Sequence, residues 1–476
     1  MSETKPATAK HGTAALAAPG ATQRLAAFAA GLDFEDIPKD VVDKAKLCIL
    51  DHLGCAIFGS SLPSVQRLMQ QVALEEAAPK AAIFGTPLRT SASLAALVNG
   101  SSAHAFQLDE IHIESTLHPA SLAFPAAFAL AQSGEGSSGG ALLAALVAGC
   151  EVGIRVGLAA KGGMFKSGFH NQGTTGVFVA AAAAALMLGL DEVQTRHALG
   201  IAGSQAAGLM AVQDGAMTKS FHSGRAAHSG VYAATLARLG YTGIPDVLDG
   251  AYGTFFGAFV DDWAPEALTA GLGSEWTILR TGFKPAPASN GSITAMTAID
   301  TIMRSHGVAA ADIEAVTAYV SDNTLHHCGW PYQGERIQSV LSAQMNLRYG
   351  IAVMALDRQA DVEQFGEDRI REPAILKFIE RIDVAHEPRF EGNNGRYRVA
   401  CRLVVRCKNG AEYEAIVPYR KGSPEDPMTH EQLVDKFRRL TKCLSRKTSD
   451  HIIRTVAELD AAADLRELAD LLTTAK

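Results

Sequence analysis

The fold is decided by the stretch Val177-Phe-Val-Ala-Ala-Ala-Ala-Ala-Ala-Leu-Met-Leu188, which has no polar residue on any side. Alanine and leucine favour a helix, and a helix that is apolar all round has to lie inside a core. The stretch is shorter than the roughly 20 residues that a membrane-spanning helix needs. It therefore predicts a deeply buried helix in a soluble helical domain, with no membrane partner.

Segments of similar composition precede and follow this stretch and predict further helices. They are rich in alanine and leucine and are separated by glycine-rich joints; the clearest are Asp40–Leu53, Leu94–His104, Leu122–Gln132 and Ala141–Val156. We therefore predict an all-helical domain over residues 21–275. The polar residues 1–20 before it predict a disordered tail.

The sequence pattern changes after residue 275. Alternating polar and apolar residues predict strands at Glu314–Asp322, Tyr397–Cys407 and Glu412–Tyr419. The Asn409-Gly410 dipeptide between the last two strands is a strong hairpin signal. A helix is predicted at Gln338–Leu356.

These elements predict a smaller α+β domain over residues 276–422. The remaining residues, 423–476, predict helices that return to the first domain. Thr429-His-Glu-Gln432 fits a capping box, and Leu465–Leu472 is amphipathic. The fold class is therefore mainly α, with a large helical domain and a smaller α+β domain.

The composition limits the class of protein. The chain has 476 residues, 47% hydrophobic and 20% charged, with a net charge of −7. Such a chain buries a large core, and its acidic balance argues against nucleic-acid binding but permits a local basic pocket for a small anion. The seven cysteines include no Cys-x-x-Cys pair, and the N-terminus lacks the pattern of a signal peptide. We expect a cytoplasmic protein with reduced thiols.

Titratable residues are densest between residues 104 and 119. This segment holds His104, His112 and His118 together with the adjacent carboxylates Asp109 and Glu110. Histidine titrates near neutral pH and a nearby carboxylate can orient it, so the group suits general acid–base catalysis. A polar loop between two helices explains the composition equally well. The spacing matches no standard zinc pattern, so we predict no metal site.

Two further groups combine cations or a histidine with glycines. His170 precedes the alanine-rich helix within Gly-Phe-His-Asn-Gln-Gly, where backbone N–H groups could bind an anion; a plain helix entry is the alternative. Lys219, His222 and Arg225 lie within seven residues and could hold carboxylates. The alternative for this second group is a solvated basic face of a helix.

Candidates in the second half of the chain are sparser. Lys284 lies near the predicted domain junction, where ligand sites often form. His326–Trp330 could be a lid loop or only the exit of a strand. Nothing close in sequence would lower the pKa of the Cys328 thiol, so we do not predict it as a nucleophile.

The order of these groups resembles the MmgE/PrpD family, which includes 2-methylcitrate dehydratase, cis-aconitate decarboxylase and iminodisuccinate epimerase. The resemblance extends from about Ala21 to Leu472. It rests on five stretches: Leu50–Gly54, His104–Pro119, Gly168–His170, Met217–Ala227 and Tyr252–Phe256. The His326–Trp330 motif and the Gln-Leu-Asp-Glu form of the loop look most similar to the fungal cis-aconitate decarboxylases.

The resemblance implies a large all-helical domain, a smaller α+β lid domain, a homodimer, no cofactor and a site at the domain interface. It implies catalytic roles for His118, His170 and Lys219. Together with the clusters above, it leads us to expect substrate contacts from a further set: Asp109, Glu110, His112, His222, Arg225 and Lys284.

Three positions depart from the family pattern. The dehydratases and the animal decarboxylases have an aspartate at the position of Gln107 and a threonine at that of Ile111. The decarboxylases have a histidine that matches Ile293, about nine residues after Lys284. An aliphatic side chain cannot relay a proton, so the usual decarboxylation machinery is expected to be incomplete.

The sequence thus predicts a cofactor-independent lyase that removes water or carbon dioxide from a small di- or tricarboxylate. Its chemistry begins with proton transfer at a carbon next to a carboxylate. An epimerase of an aspartate-like dicarboxylate is the first alternative, because it needs the same proton abstraction. A non-catalytic dimeric carboxylate-binding protein is the second, motivated by Ile293 and Gln107.

Overall fold

A computed structural model describes residues 20–134, 137–332, 339–392 and 397–473. Apart from Gly20, the predicted disordered tail lies outside these residues. Within them the chain is mainly α, with a small mixed sheet in the C-terminal part, as the sequence predicts. The domain boundaries at residues 275 and 422 stay predictions.

The described residues before 275 are helical, apart from a two-stranded antiparallel ribbon that the sequence did not indicate. The helices are α1 (Ala21–Gly31), α2 (Lys39–Gly59), α3 (Pro63–Ala73), α4 (Ala92–His104), α5 (Ala120–Ser133), α6 (Gly139–Ala159), α7 (Gly163–Lys166), α8 (Asn171–Thr174), α9 (Gly176–Met187), α10 (Glu192–Gly203), α11 (Thr218–Arg238) and α12 (Phe255–Phe259). The ribbon consists of β1 (Ala81–Ala82) and β2 (Arg89–Thr90).

Helix α9 lies at the centre of this part, as its sequence predicts. Its residues from Gly176 to Ala185 are all buried, and it packs against α5, α6, α10 and α11. Glycine on the neighbouring helices makes this packing possible. A Cβ on Gly153 of α6 would lie 1.9 Å from Cγ2 of Val179, and one on Gly230 of α11 would lie 2.4 Å from Cβ of Ala180. The helices therefore pack this closely only because these positions lack side chains.

Helix α6 is 21 residues long and apolar enough to cross a membrane, but 89% of its most apolar window is buried inside the protein. A second candidate arises only if α2 and α3, which are bent by 84° relative to each other, are counted as one span. The burial of α6 is that of a core helix.

The remaining described residues add a mixed sheet and further helices. The strands are β3 (Ile313–Val320), β4 (Ile382–His386), β5 (Cys401–Cys407) and β6 (Glu412–Val417). The helices are α13 (Asn290–His306), α14 (Asp322–Cys328), α15 (Val340–Gln344), α16 (Leu347–Asp357), α17 (Pro373–Ile379), α18 (His430–Leu440), α19 (Arg446–Ala457) and α20 (Arg466–Leu472). The sheet order is β4-β3-β5-β6, with β3 and β4 parallel and the other pairs antiparallel.

The sequence located this sheet only in part. The hairpin at Asn409-Gly410 is confirmed: Gly410 has φ of 84°, and β5 and β6 pair from Arg406 opposite Glu412. The short strand β4 was missed. The helix predicted at 338–356 is two helices, because Asn346 ends one and its side chain accepts the N–H of Tyr349 to cap the next.

Helix α18 begins with the predicted capping box and packs on α2. Nζ of Lys436 on α18 donates to Oδ1 of Asp51 on α2 and to the carbonyl of Leu108, each at 2.6 Å. Phe437 packs at Gly54, where a Cβ would lie 3.1 Å from its ring. A C-terminal helix therefore holds the loop between α4 and α5, which carries the densest group of titratable residues.

Candidate active site

The loop between α4 and α5 is held in an unusual backbone conformation. Gln107 and Thr116 have φ of 60° and 57°, values that few residues other than glycine adopt and that cost on the order of 1 kcal/mol each. Glu110 anchors the end of the loop, since its Oε1 accepts the backbone N–H groups of Ala120 and Ser121 at the start of α5. Burial and the nearby carboxylates raise the pKa of Glu110 well above its usual range.

Asp109 lies behind two imidazoles. Its Oδ2 is 2.9 Å from Nδ1 of His104 and accepts a hydrogen bond from the Ser121 hydroxyl, also at 2.9 Å. The same oxygen is 3.1 Å from Nδ1 of His118, an ion-pair distance at an angle too poor for a hydrogen bond. Burial alone would raise the pKa of Asp109, but the two histidines outweigh it and the carboxyl is ionised.

Lys219 lies in the first turn of α11 and is only 6% exposed. Its Nζ is 3.3 Å from Nε2 of His104, so His104 bridges Lys219 and Asp109. Burial and the positive charge of Lys284 lower the pKa of Lys219 to about 7. The amine therefore changes charge near neutral pH, as a catalytic acid or base requires.

The second histidine group joins α11 to the turn before α9. Nδ1 of His170 is 3.0 Å from Nδ1 of His222, so one ring donates and the other accepts. Gln172 fixes the neighbouring His118 by accepting its backbone N–H and donating to its carbonyl, at 3.0 and 3.1 Å. Burial lowers the pKa of His170 and of His222, so both rings are neutral in the empty site.

Lys284 approaches the same region from the segment that precedes α13. Its Nζ donates to the carbonyl of Gln107 at 3.1 Å. Gln107 is the residue whose backbone has the unusual φ of 60°. Burial lowers the pKa of Lys284 to about 8. Arg420, which is fully buried, donates to the carbonyl of Phe283 and so fixes the chain next to Lys284.

These groups surround one cavity between the helical part and the C-terminal part of the chain. The predicted residues that line it are His118, His170, Lys219 and Lys284. Asp109 and Glu110 lie behind it and hold other groups, and His222 contacts it through His170. The structure thus brings together residues that are separated by up to 166 positions in sequence.

Of the predicted substrate contacts, Lys284 lines this cavity; His112 and Arg225, like Asp109, Glu110 and His222, do not. His112 is buried within the loop, where its Nδ1 accepts the backbone N–H of Ser115. Arg225 lies on the exposed face of α11, with Nη1 2.8 Å from Nδ1 of His228. Six residues of helix turn a side chain by about 240°, so Arg225 points away from the side of α11 that carries Lys219.

Ile293 does not lie at the cavity either. Its side chain is buried in α13 and faces a separate cavity that includes Pro285 and Met296. Close after Lys284, the residues that line the histidine cavity are Ser289, Asn290 and Gly291. Ile293 is thus not among the residues that line the histidine cavity, and the expectation that the usual decarboxylation machinery is incomplete stays a prediction.

Sequence reasoning missed two residues from the C-terminal part that line the cavity. His327 was noted only as part of a possible lid loop, and Arg398 was not noted. The Nε of Arg398 and the Nδ1 of His327 are buried and have no hydrogen-bond partner among the described residues. Oδ1 of Asn171 and Oδ1 of Asn290 are likewise buried and have no hydrogen-bond partner among the described residues. Four such atoms around one cavity indicate a polar ligand.

One trio in the described ranges has donor atoms that converge closely enough to hold a metal ion: His104, Asp109 and His118. Its separations of 2.9 and 3.1 Å are those of direct contact between imidazole and carboxylate. Asp109 Oδ2 already contacts both rings and the Ser121 hydroxyl. Hydrogen bonding and ion pairing account for this arrangement.

Comparison with known proteins agrees with the resemblance noted in the sequence. The MmgE/PrpD N-terminal domain model matches residues 23–267, and the C-terminal domain model matches residues 287–461. A cis-aconitate decarboxylase-like protein of Aspergillus oryzae is 31% identical, over 95% of this chain and 97% of that protein. The cis-aconitate decarboxylases of Aspergillus terreus and Homo sapiens are 30% and 29% identical, over 95% of this chain and 96% and 94% of theirs. The chain belongs to the MmgE/PrpD family.

Proposed function

We propose that this protein is a cofactor-independent lyase that removes carbon dioxide from a small tricarboxylate, with cis-aconitate as the first candidate. The observation that carries the proposal is a buried cavity in which Lys219, Lys284 and Arg398 surround two histidines, His118 and His170. The relatives support the same reaction, since those of Aspergillus terreus and Homo sapiens are cis-aconitate decarboxylases.

The charges of the cavity favour a polyanion. Burial lowers the pKa values of Lys219, Lys284 and Arg398. A tricarboxylate would supply three negative charges, raise these pKa values again and partner the orphaned Nε of Arg398. The cavity therefore gains more from binding an anion than from binding a neutral molecule.

The bond changes of a decarboxylation suit the same residues. The bond to one carboxylate breaks and carbon dioxide leaves; its electron pair forms a new C=C bond, the old C=C bond shifts and its far carbon takes a proton. Nε2 of His118 is the ring nitrogen opposite Asp109, and a bound trianion favours protonation of this ring. His118 would then deliver the proton while Lys219 stabilises the charge that develops on the remaining carboxylate.

The reaction is tested by incubating the protein with cis-aconitate, citrate, 2-methylcitrate and iminodisuccinate in D₂O and following proton NMR. We expect one-carbon loss from cis-aconitate with deuterium in the product. Loss of water from citrate or 2-methylcitrate would mean a dehydratase, and deuterium exchange in iminodisuccinate without net loss would mean an epimerase. Inertness toward all four acids together with tight binding would favour the non-catalytic alternative.

Matched variants connect any turnover to this cavity. Lys219→Met should lower kcat/KM by about 10²–10³. Lys166→Met removes a lysine of α7 that is exposed and outside the cavity lining, and should leave the rate unchanged. Equal activity of both variants would contradict the proposed role of Lys219.

We also propose that two copies of the chain associate. Large apolar side chains are exposed along and beyond the end of α11, including Tyr232, Leu239 and Tyr241, at 51%, 78% and 61%. Such a patch is typical of a protein–protein interface. Light scattering after size exclusion should give a mass near twice 50.1 kDa, and a mass near 50.1 kDa would contradict a homodimer.

A further inference from the structure

We propose that carbon dioxide adds to the side chain of Lys219 to form a carbamate, and that this modification switches the site off reversibly. The inference rests on the proposed function, because it takes carbon dioxide to be a product that is released beside Lys219. The carbamate replaces the positive charge of Lys219 by a negative one, so the modified side chain no longer holds a substrate carboxylate. The product thus restrains its own formation.

Lys219 lies where two cavities meet. Lys219 and Gln107 line both the histidine cavity and a second cavity of about 380 Å³. The second cavity is bordered by large apolar side chains: Phe58, Leu62, Phe106, Val340, Leu341 and Phe365. Carbon dioxide has neither net charge nor a dipole, so it favours this apolar space over a cavity surrounded by cations. Carbon dioxide that leaves the histidine cavity by this route passes Lys219.

The amine of Lys219 is well placed to act as a nucleophile. Its side chain is 6% exposed, and among the described residues its Nζ has one hydrogen-bond contact, to Nε2 of His104 at 3.3 Å. His104 donates its Nδ1–H to Asp109, so Nε2 accepts an N–H of the uncharged amine and leaves the nitrogen lone pair unused. With a pKa of about 7, roughly half of the Lys219 amines are uncharged at neutral pH. This is the form that reacts with carbon dioxide.

The bond changes balance without a further reactant. The lone pair of Nζ forms an N–C bond to the carbon of carbon dioxide, while the π pair of one C=O bond moves onto its oxygen. The nitrogen then loses a proton, which Nε2 of His104 accepts and passes to water. The product is a carbamate with one negative charge, and return of the proton reverses the addition.

The surroundings of Lys219 stabilise such a negative charge. Lys284 and Arg398 line the same cavity. Asp109, the carboxylate that acts on Lys219, already faces the rings of His104 and His118. A carbamate on Lys219 therefore gains the attraction of two cations, and it takes the place that a substrate carboxylate needs.

The test treats the protein, without any substrate, with ¹³C-labelled carbon dioxide and then with a trialkyloxonium salt, which converts a carbamate into a stable ester. Peptide mass spectrometry should find the labelled ester on Lys219, and Lys219→Met should lose it. Lys166→Met is the matched control, because Lys166 is exposed and outside the lining of both cavities, and it should keep the ester. Lys284→Met removes a stabilising cation and should reduce the amount of ester several-fold. Absence of the ester from wild-type Lys219, or an equal amount on Lys166, overturns the inference.

Kinetics gives a second readout. Carbon dioxide should raise KM for cis-aconitate and leave kcat unchanged, because the substrate binds the charged amine and carbon dioxide the uncharged one. Carbon dioxide and bicarbonate are mixed with the protein separately, at equal concentration and constant pH, and rates are read before the two interconvert. Only carbon dioxide should inhibit. Equal inhibition by bicarbonate would mean simple competition between anions and overturns the inference, as does an ester on Lys219 without any change of KM.

These outcomes are separable from those for the proposed reaction. A labelled ester on Lys219 in a protein that turns over none of the four acids supports the carbamate and contradicts the lyase. Turnover of cis-aconitate by a protein that forms no ester supports the lyase and overturns the carbamate.

Discussion

Nζ of Lys219 lies 3.3 Å from Nε2 of His104, whose other ring nitrogen is 2.9 Å from Oδ2 of Asp109. Burial lowers the pKa of His104 to about 3, so the ring is neutral, donates its Nδ1–H to the carboxylate and accepts from the amine. His104 thus fixes the direction of Lys219 without competing for its proton. This line of three buried groups is the feature of the site that sequence spacing could not show.

Replacing Lys219 by methionine should lower kcat/KM by about 10²–10³, the usual cost of removing one charge-stabilising donor from an active site. The same change should stabilise the empty protein. The pKa falls from 10.5 to about 7 on folding, and a shift of this size corresponds to roughly 4 kcal/mol of unfavourable burial as an upper limit. Turnover assays and thermal unfolding at pH 7 measure the two effects. Loss of both activity and stability would mean that Lys219 is only structural.

The adjacent carboxyl groups of Asp109 and Glu110 should respond differently to amide substitution. Asp109→Asn removes the ionised group that faces His104 and His118, so we expect kcat to fall by about 10²–10⁴. Burial raises the pKa of Glu110, and an amide oxygen can still accept the N–H groups of Ala120 and Ser121, so Glu110→Gln should stay within a few-fold of wild type. Steady-state kinetics measures kcat for both variants and shows whether the losses differ. Equal losses would show that the charge of Asp109 has no particular role.

The sequence was sufficient for the helical part because its signals are local. The run in α9 is apolar on every side of the helix, so no side of it is suited to contact with water. It therefore predicts a buried helix directly. The hairpin at Asn409-Gly410 and the capping box at Thr429 are likewise set by residues a few positions apart. The strand β4 was missed because its five residues pair in parallel with β3, about 65 positions away, which no local pattern reports.

The site was predictable only as far as residue type is informative. The histidines and lysines were identified by chemistry and family resemblance, but Arg225 was included because it is close to Lys219 in sequence, although it lies on another side of α11. Arg398 was overlooked because one arginine at the start of a predicted strand carries no signal until the fold brings it to the cavity. Ile293 was noted because it matches a histidine of the decarboxylases, and sequence alone could not show that its side chain lines a different cavity.

Substitution of Arg225 and of Arg398 tests whether a position at the cavity, and not closeness to Lys219 in sequence, identifies a substrate contact. Arg398→Gln should raise KM for a tricarboxylate about 10-fold or more and change KM for a dicarboxylate little, because Nε of Arg398 is a buried donor without a partner at the cavity. Arg225→Gln should leave both values unchanged. Steady-state kinetics with one acid of each kind measures the difference. An effect of Arg225→Gln equal to that of Arg398→Gln would contradict the assignment of Arg398 to the third carboxylate.

Substrate affinity should fall as the pH rises above neutrality. The pKa values of Lys219 and Lys284 are about 7 and 8 in the empty site, and an anionic substrate binds the protonated amines. Below pH 7 both amines are charged and KM should be constant. Between pH 7 and 8 one proton has to be taken up on binding, so KM rises up to about ten-fold per pH unit, and above pH 8 the second amine makes the rise steeper.

Two measurements check this pH dependence. Calorimetric titration at pH 8 in buffers of different ionisation enthalpy should show uptake of between one and two protons when substrate binds. Lys284→Met should remove the additional slope above pH 8 and keep the rise that begins near pH 7, because that rise belongs to Lys219. A KM that stays flat from pH 6 to 9 would mean that the substrate does not bind to the charged forms of these amines.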